Sequence, residues 1–296
     1  MEDMDFTQPQ APVEPSAPFK TASSQFYDYK MAGRIFEAAG RTERFTAGQV
    51  LFSEDQKAAG GLFKRAASRM YFLAEGEVAL TIGGRPLDTV QQGEVFGEMA
   101  VISNRPRSAT ATAKTDGSAF SLGAEELQAA LGKSPEFALM LMSVMFDRLR
   151  FIAARLTVRK SAIAARTQQE PAFDAALLAR LEATLARAAT SRFAQGTMIM
   201  KEGQTGAFLY VVKSGRVAIG IGGRLVELVG PGGTFGEMGV VDQSPRAASA
   251  QADTECELLA IDRPSLLDAV AKQPAFAMAI LHAVAERLRH MNSQLG

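Results

Sequence analysis

Two arginines, Arg107 and Arg246, each stand nine residues after a glutamate, Glu98 or Glu237, which itself follows a glycine, Gly97 or Gly236. The stretches that hold them, FGEMAVISNRPRSAT from Phe96 to Thr110 and FGEMGVVDQSPRAAS from Phe235 to Ser249, are identical at eight of fifteen positions. A glycine lets the backbone approach a ligand with no Cβ in the way. The residues after it predict one or two helical turns, whose free N–H groups attract an anion. An arginine just downstream offers phosphate oxygens a planar fork of donors. A carboxylate beside a phosphate repels it, so Glu98 and Glu237 are expected to turn aside and accept hydrogen bonds from a sugar hydroxyl. Phosphate, ribose and one arginine per copy point to a nucleotide.

The two stretches resemble the phosphate-binding cassette of cyclic-nucleotide-binding domains. That family includes the catabolite activator protein, the regulatory subunits of cyclic-AMP-dependent kinase and cyclic-nucleotide-gated channels. The resemblance covers both halves of the chain but not the first 24 or so residues. It implies an α+β fold of two tandem cyclic-nucleotide-binding β-rolls with flanking helices. It assigns the ribose 2′-hydroxyl to Glu98 and Glu237 and the cyclic phosphate to Arg107 and Arg246. It also brings the amides around Gly97, Glu98 and Ser108, and around Gly236, Glu237 and Ala247, near the phosphate. The candidate ligand-binding residues are therefore Gly97, Glu98, Met99, Arg107, Ser108 and Ala109 in the first copy and Gly236, Glu237, Met238, Arg246, Ala247 and Ala248 in the second. In the family a hydroxyl directly after the arginine can favour guanine. Ala247 thus fits cyclic AMP, whereas Ser108 leaves cyclic GMP open or simply touches the phosphate. The expected ligand is cyclic AMP, and no cofactor is implied. The same residues also have a structural reading, as turns of a roll that has lost its ligand, which would make the chain a scaffold or interaction protein.

The elements that must hold these residues repeat as well. Gly76–Arg85 matches Gly215–Arg224 at the 139-residue offset that relates the two arginines, and the offset persists at Pro135 and Pro274. Upstream, Phe45 matches Phe193 and Glu54 matches Glu202 at an offset of 148, so the first copy carries a nine-residue insertion between Glu54 and Met70. That insertion, with Gly60-Gly61, Lys57, Lys64, Arg65 and Arg69, reads as a surface loop. A short helix is expected from Tyr29 to Ala39, then strands at Met70–Leu73, Glu77–Ile82, Arg85–Val90, Ser108–Thr115 and Ser118–Leu122. Gly83-Gly84 marks a hairpin turn. Glu125–Leu131 and a longer segment from Pro135 to about Ala165 read as helices, and Asp174–Ala188 as the entry helix of the second copy. Met142, Met145, Leu149, Ile152 and Leu156 recur at helical spacing, as do Val284, Leu288, Met291 and Leu295. Such a stripe either packs within the chain or forms a homodimer seam, and the family resemblance makes this helix a lid that closes over the base. The expected domains are an acidic, proline-rich disordered tail at 1–24, a first domain with its linking helix at 25–166 and a second at 167–296.

Composition limits the remaining functions. Thirty-two basic residues balance thirty-two acidic ones, so no overall field draws the chain to nucleic acid or membrane. No apolar run reaches the roughly 18–20 residues that span a bilayer, and the N-terminus lacks a signal-peptide pattern. A single cysteine, Cys256, excludes an intrachain disulfide and is expected as a small buried hydrophobe in a cytoplasmic protein. The segment from Arg148 to Arg166 is basic; a solvated helix face accounts for it, and a nucleic-acid surface would show salt-dependent binding. Its charge lies off the cassettes and is expected to stay outside the nucleotide sites. His282 and His290 have no carboxylate arrangement suited to a metal centre, and nothing resembles an activated nucleophile. No helix-turn-helix follows the last helix, and no arginine precedes Arg34 as a kinase-inhibitor segment would need. The expectation is a non-enzymatic receptor that signals by helix rearrangement to a protein partner.

Overall fold

The computed structural model describes residues 24, 26–55, 68–158, 171–185 and 189–292. The N-terminal tail, the nine-residue insertion and the basic segment beyond Val158 fall largely or wholly outside these.

The first copy opens with helix α1 (Tyr29–Ala39), whose start is capped by the Asp28 carboxylate accepting from the amides of Lys30 and Met31. Eight strands follow around one short helix: β1 (Arg41–Phe45), β2 (Val50–Phe52), β3 (Met70–Glu75), β4 (Val78–Ile82), β5 (Arg85–Val90), β6 (Val95–Phe96), α2 (Glu98–Ser103), β7 (Thr110–Ala113) and β8 (Gly117–Leu122). Helices α3 (Ala124–Lys133) and α4 (Pro135–Val158) complete it. The second copy runs α5 (Ala175–Thr184), β9 (Ala189–Phe193), β10 (Met198–Met200), β11 (Phe208–Ser214), β12 (Val217–Ile221), β13 (Arg224–Val229), β14 (Thr234–Phe235), α6 (Glu237–Val241), β15 (Ser249–Ala252), β16 (Cys256–Asp262), α7 (Arg263–Lys272) and α8 (Ala275–Asn292).

Each copy folds its strands into two four-stranded antiparallel sheets, ordered β1-β8-β3-β6 and β2-β7-β4-β5 in the first and β9-β16-β11-β14 and β10-β15-β12-β13 in the second. This is the α+β roll expected from the sequence, present twice. Both residues of each Gly-Gly turn, Gly83-Gly84 and Gly222-Gly223, have positive φ, the backbone that a two-residue hairpin needs to match strand twist. The two sheets enclose the core. In the first roll Phe52, Tyr71 and Phe96 stack, with 5.1 Å between the last two ring centroids. The small residues Ala111, Ala113 and Ala119 belong to the same buried cluster. In the second roll Tyr210 and Phe235 stack at 5.1 Å, beside Ala250, Ala252 and the buried Cys256. Burial raises the pKa of that thiol.

The chain divides into two compact units, with one boundary inside α4 between Asp147 and Arg148. One unit holds Arg148–Ser265; the other holds the first copy up to Asp147 together with Leu266–Arg289. The last 24 residues of that second group come from the second copy in sequence yet pack with the first. Met142, Met145, Leu149, Ile152, Val284 and Leu288 are all buried within the single chain, whereas Met291 is half-buried.

Candidate functional site

Each cassette is built by a sharp backbone reversal followed by a returning strand. Gly97 and Gly236 precede α2 and α6 with φ of 73° and 77°. This left-handed conformation suits glycine. Space demands it too: a Cβ on Gly97 would come within 3.0 Å of the Arg107 guanidinium, and one on Gly236 within 2.7 Å of that of Arg246. Asn104 and Gln243, at equivalent places after the helices, also have positive φ and turn the chain back towards the arginine.

Arg107 is 7% exposed and Arg246 5%. Arg107 donates from one terminal nitrogen to the Gly97 carbonyl (2.9 Å) and from the other to the Arg69 carbonyl (2.8 Å). Its guanidinium lies 4.0 Å from the centre of the Phe52 ring. Arg246 makes the matching pair of bonds, to Gly236 (2.6 Å) and Phe208 (2.8 Å). Each arginine thus ties its cassette to the start of an inner strand, β3 or β11. Neither has an ion-pair partner among the described residues. Burial lowers the pKa of both, opposed by Tyr71, Glu98 and Glu43 around Arg107 and by Tyr210 and Glu237 around Arg246. Both remain cations, since a guanidinium holds its proton at any pH a protein tolerates.

Glu98 and Glu237 are each 4% exposed. Glu237 accepts a 2.5 Å hydrogen bond from the Thr234 hydroxyl. The equivalent position in the first copy is Val95, so the two sites differ at this support. Of the remaining predicted contacts, Gly97, Gly236, Met238, Ser108 and Ala247 are half-buried, whereas Met99, Ala109 and Ala248 turn into the interior. Within each copy the fold therefore brings the glycine, glutamate and arginine together.

One further carboxylate braces each site. The side chain of Glu54 accepts from the Gly83 amide (2.7 Å), while its own amide donates to the Thr110 hydroxyl (2.8 Å). Glu202 repeats this with Gly222 (2.9 Å) and Ser249 (3.0 Å). The amides of Asp55 and Gly203 donate to the carbonyls of Arg107 and Arg246. The β4–β5 and β12–β13 hairpins are thereby pinned beside the cassettes. The pairing of Glu54 with Glu202 at the 148-residue offset was the visible trace of this role.

One basic residue of the linking helix reaches the second cassette loop. Arg150, on α4, donates to the Asp242 carboxylate and to the Ser244 hydroxyl in the loop between α6 and Arg246. Among the described residues no cluster of histidine, cysteine and carboxylates could hold a metal, and no helix is long and apolar enough to cross a membrane.

The family model of the cyclic nucleotide-binding domain matches this chain at residues 42–134 and 190–273. A CRP-like cAMP-activated global transcriptional regulator of Mycobacterium tuberculosis is 36% identical over 108 residues, 35% of this chain and 48% of the relative. A cGMP-dependent protein kinase of Toxoplasma gondii is 27% identical over 209 residues, 69% of this chain and 18% of the kinase. A cAMP-dependent protein kinase regulatory subunit of Debaryomyces hansenii is 25% identical over 238 residues, 79% of this chain and 46% of the subunit. The chain spans less than half the length of each of these three relatives. Among solved structures, the catabolite activator protein of Thermus thermophilus aligns over 43% of this chain and 62% of its own, with 33% identity and a TM-score of 0.38. The regulatory domain of Toxoplasma gondii PKA with cAMP aligns over 86% and 88%, with 21% identity and a TM-score of 0.30. The two family matches frame the two rolls and their cassettes, and the chain belongs to the cyclic nucleotide-binding domain family.

Proposed function

We propose that the chain is a receptor that binds cyclic AMP in each of its two rolls and passes the event to a protein partner through its helices. The observation that carries this reading is the pair of buried arginines. A buried charge without a counter-ion is costly, and in both cassettes two backbone carbonyls are the guanidinium's hydrogen-bond partners. An anion completes that environment. A cyclic phosphate brings one negative charge and oxygens that accept from the arginine and from the neighbouring amides. Glu98 and Glu237 then take the ribose 2′-hydroxyl as donor, which fits buried carboxylates better than a second anion would. The family relatives support a cyclic nucleotide, and the names of two of the three described above carry cAMP.

The test is calorimetric titration of the purified protein with cyclic AMP and, separately, cyclic GMP, after any co-purified nucleotide has been removed. The proposal expects two equivalents of cyclic AMP at sub-millimolar affinity. One equivalent would mean a silent cassette. Tighter binding of cyclic GMP would overturn the ligand, and no heat with either nucleotide would overturn the receptor.

A further inference from the structure

Arg289 sits on α8, the last helix of the second copy, yet its contacts are with the first cassette. Its Nε donates to the Ser103 hydroxyl at 3.2 Å and a terminal nitrogen to the Pro106 carbonyl at 2.8 Å. Pro106 directly precedes Arg107. Two further α8 side chains reach the same loop: His282 Nδ1 donates to the Ile102 carbonyl (3.2 Å), and Glu286 lies 3.5 Å from Arg105. Burial lowers the pKa of Arg289, with Glu286 opposing that shift and Arg105 adding to it. The end of α2 and the loop after it, from Ile102 to Pro106, are therefore held from one side by a helix that the sequence assigns to the other copy.

The second cassette has a matching arrangement. Arg150 lies 139 residues before Arg289. It projects from α4, the last helix of the first copy, and bonds Asp242 and Ser244. Asp242 is the counterpart of Ser103 at the same offset. The match is partial: Ser143 and Asp147, the counterparts of His282 and Glu286, face Ser24 instead. The Val240 and Val241 carbonyls are met by Arg263, from the second copy's own α7.

We infer that Arg289 is a positioning residue for the nucleotide site of the first copy and Arg150 for that of the second, each arginine lying on the helix that closes the other copy. This rests on the proposed nucleotide sites. The mechanism is local. Arg107 can meet a phosphate only where the loop before it places its backbone, and Arg289 fixes that loop at two points, one of them the residue preceding Arg107. Arg150 fixes the equivalent loop through the Asp242 carboxylate.

The experiment uses the full chain with one site silenced at a time. In an Arg246→Ala background only the first site binds, and Arg289→Ala is expected to weaken cyclic AMP there by about tenfold or more. In an Arg107→Ala background the same substitution leaves the second site within twofold. Arg150→Ala is expected to give the opposite pattern. Equal losses at both sites, or losses at the site of the same copy, would overturn the assignment. Arg289→Lys keeps the charge but loses the fork, and it is expected to recover part of the affinity if Arg289→Ala folds poorly. The swapped pair Arg150→Asp with Asp242→Arg should recover binding at the second site, which a packing role alone would not give. Amide exchange without ligand separates the two proposals. Arg289→Ala should speed exchange across 104–108 and leave 243–247 unchanged, and unchanged exchange at 104–108 overturns the positioning role. If the wild-type protein binds neither cyclic nucleotide, the receptor proposal fails and the exchange result alone decides this one.

Discussion

Arg107 and Arg246 stand out in this chain because each combines burial, a full charge and hydrogen bonds to backbone carbonyls. Removing either should abolish or strongly weaken its own site and spare the other. Loss of a buried charge-paired arginine costs about 2–5 kcal/mol, roughly thirtyfold to several thousandfold in affinity. Titration of Arg107→Ala and Arg246→Ala measures this directly, and two variants that bind like the wild type would disprove the assignment. The sites also differ at one support, the Thr234 hydroxyl on Glu237, where the first copy has Val95. Thr234→Val should weaken the second site by about 1 kcal/mol, roughly fivefold, and leave the first unchanged. A loss at the first site as well would show that the substitution acts on the fold and not on Glu237. The glycine, glutamate and arginine were legible because they lie within eleven residues and occur twice. Arg150 and Arg289 were not, because their partners lie 92–94 and 183–186 residues away, and a helix sequence shows a basic face without showing what it meets.

At the scale of elements, local patterns carried far. The first helix falls at Tyr29–Ala39 as expected, and both Gly-Gly hairpins turn where expected. The two-residue strands β6 and β14 escaped notice, because two residues carry no period. The match of Glu54 with Glu202 marked the pair, but the sequence could not say what they hold, since each bond joins a turn to a hairpin tip 29 or 20 residues further on. The alternation of small residues in β7 and β15 now has a reason. Ala111 and Ala250 are fully buried in clusters that also hold Phe96 and Phe235, where the volume is taken by rings. Ala111→Leu or Ala250→Leu should therefore lower stability by about 1–3 kcal/mol through overpacking. Denaturant unfolding measures it. An unchanged midpoint would show that the space opposite the rings is slack.

At the scale of the molecule, the repeat at 139 residues predicts two copies of one roll, and two rolls are present. The offset could not reveal that Leu266–Arg289 packs with the first copy, because an amphipathic helix declares its apolar face and not the surface that covers it. The single cysteine gives a way to follow the second roll alone. Cys256 is buried on β16, and burial raises its thiol pKa, so both access and thiolate fraction oppose its reaction. Labelling by an aromatic disulfide reagent at pH 8 should be negligible in the folded protein and should proceed through opening of the roll. A ligand bound only to the folded state lowers the open population by the factor 1 + [L]/Kd, so cyclic AMP at about a hundred times its Kd should slow labelling about a hundredfold. Arg107→Ala should keep this protection, because its second site is intact. Arg246→Ala should lose it if the second roll opens by itself. Persistent protection in Arg246→Ala would instead mean that ligand in the first cassette holds the second roll closed, and the two rolls would then have to be treated as one cooperative unit.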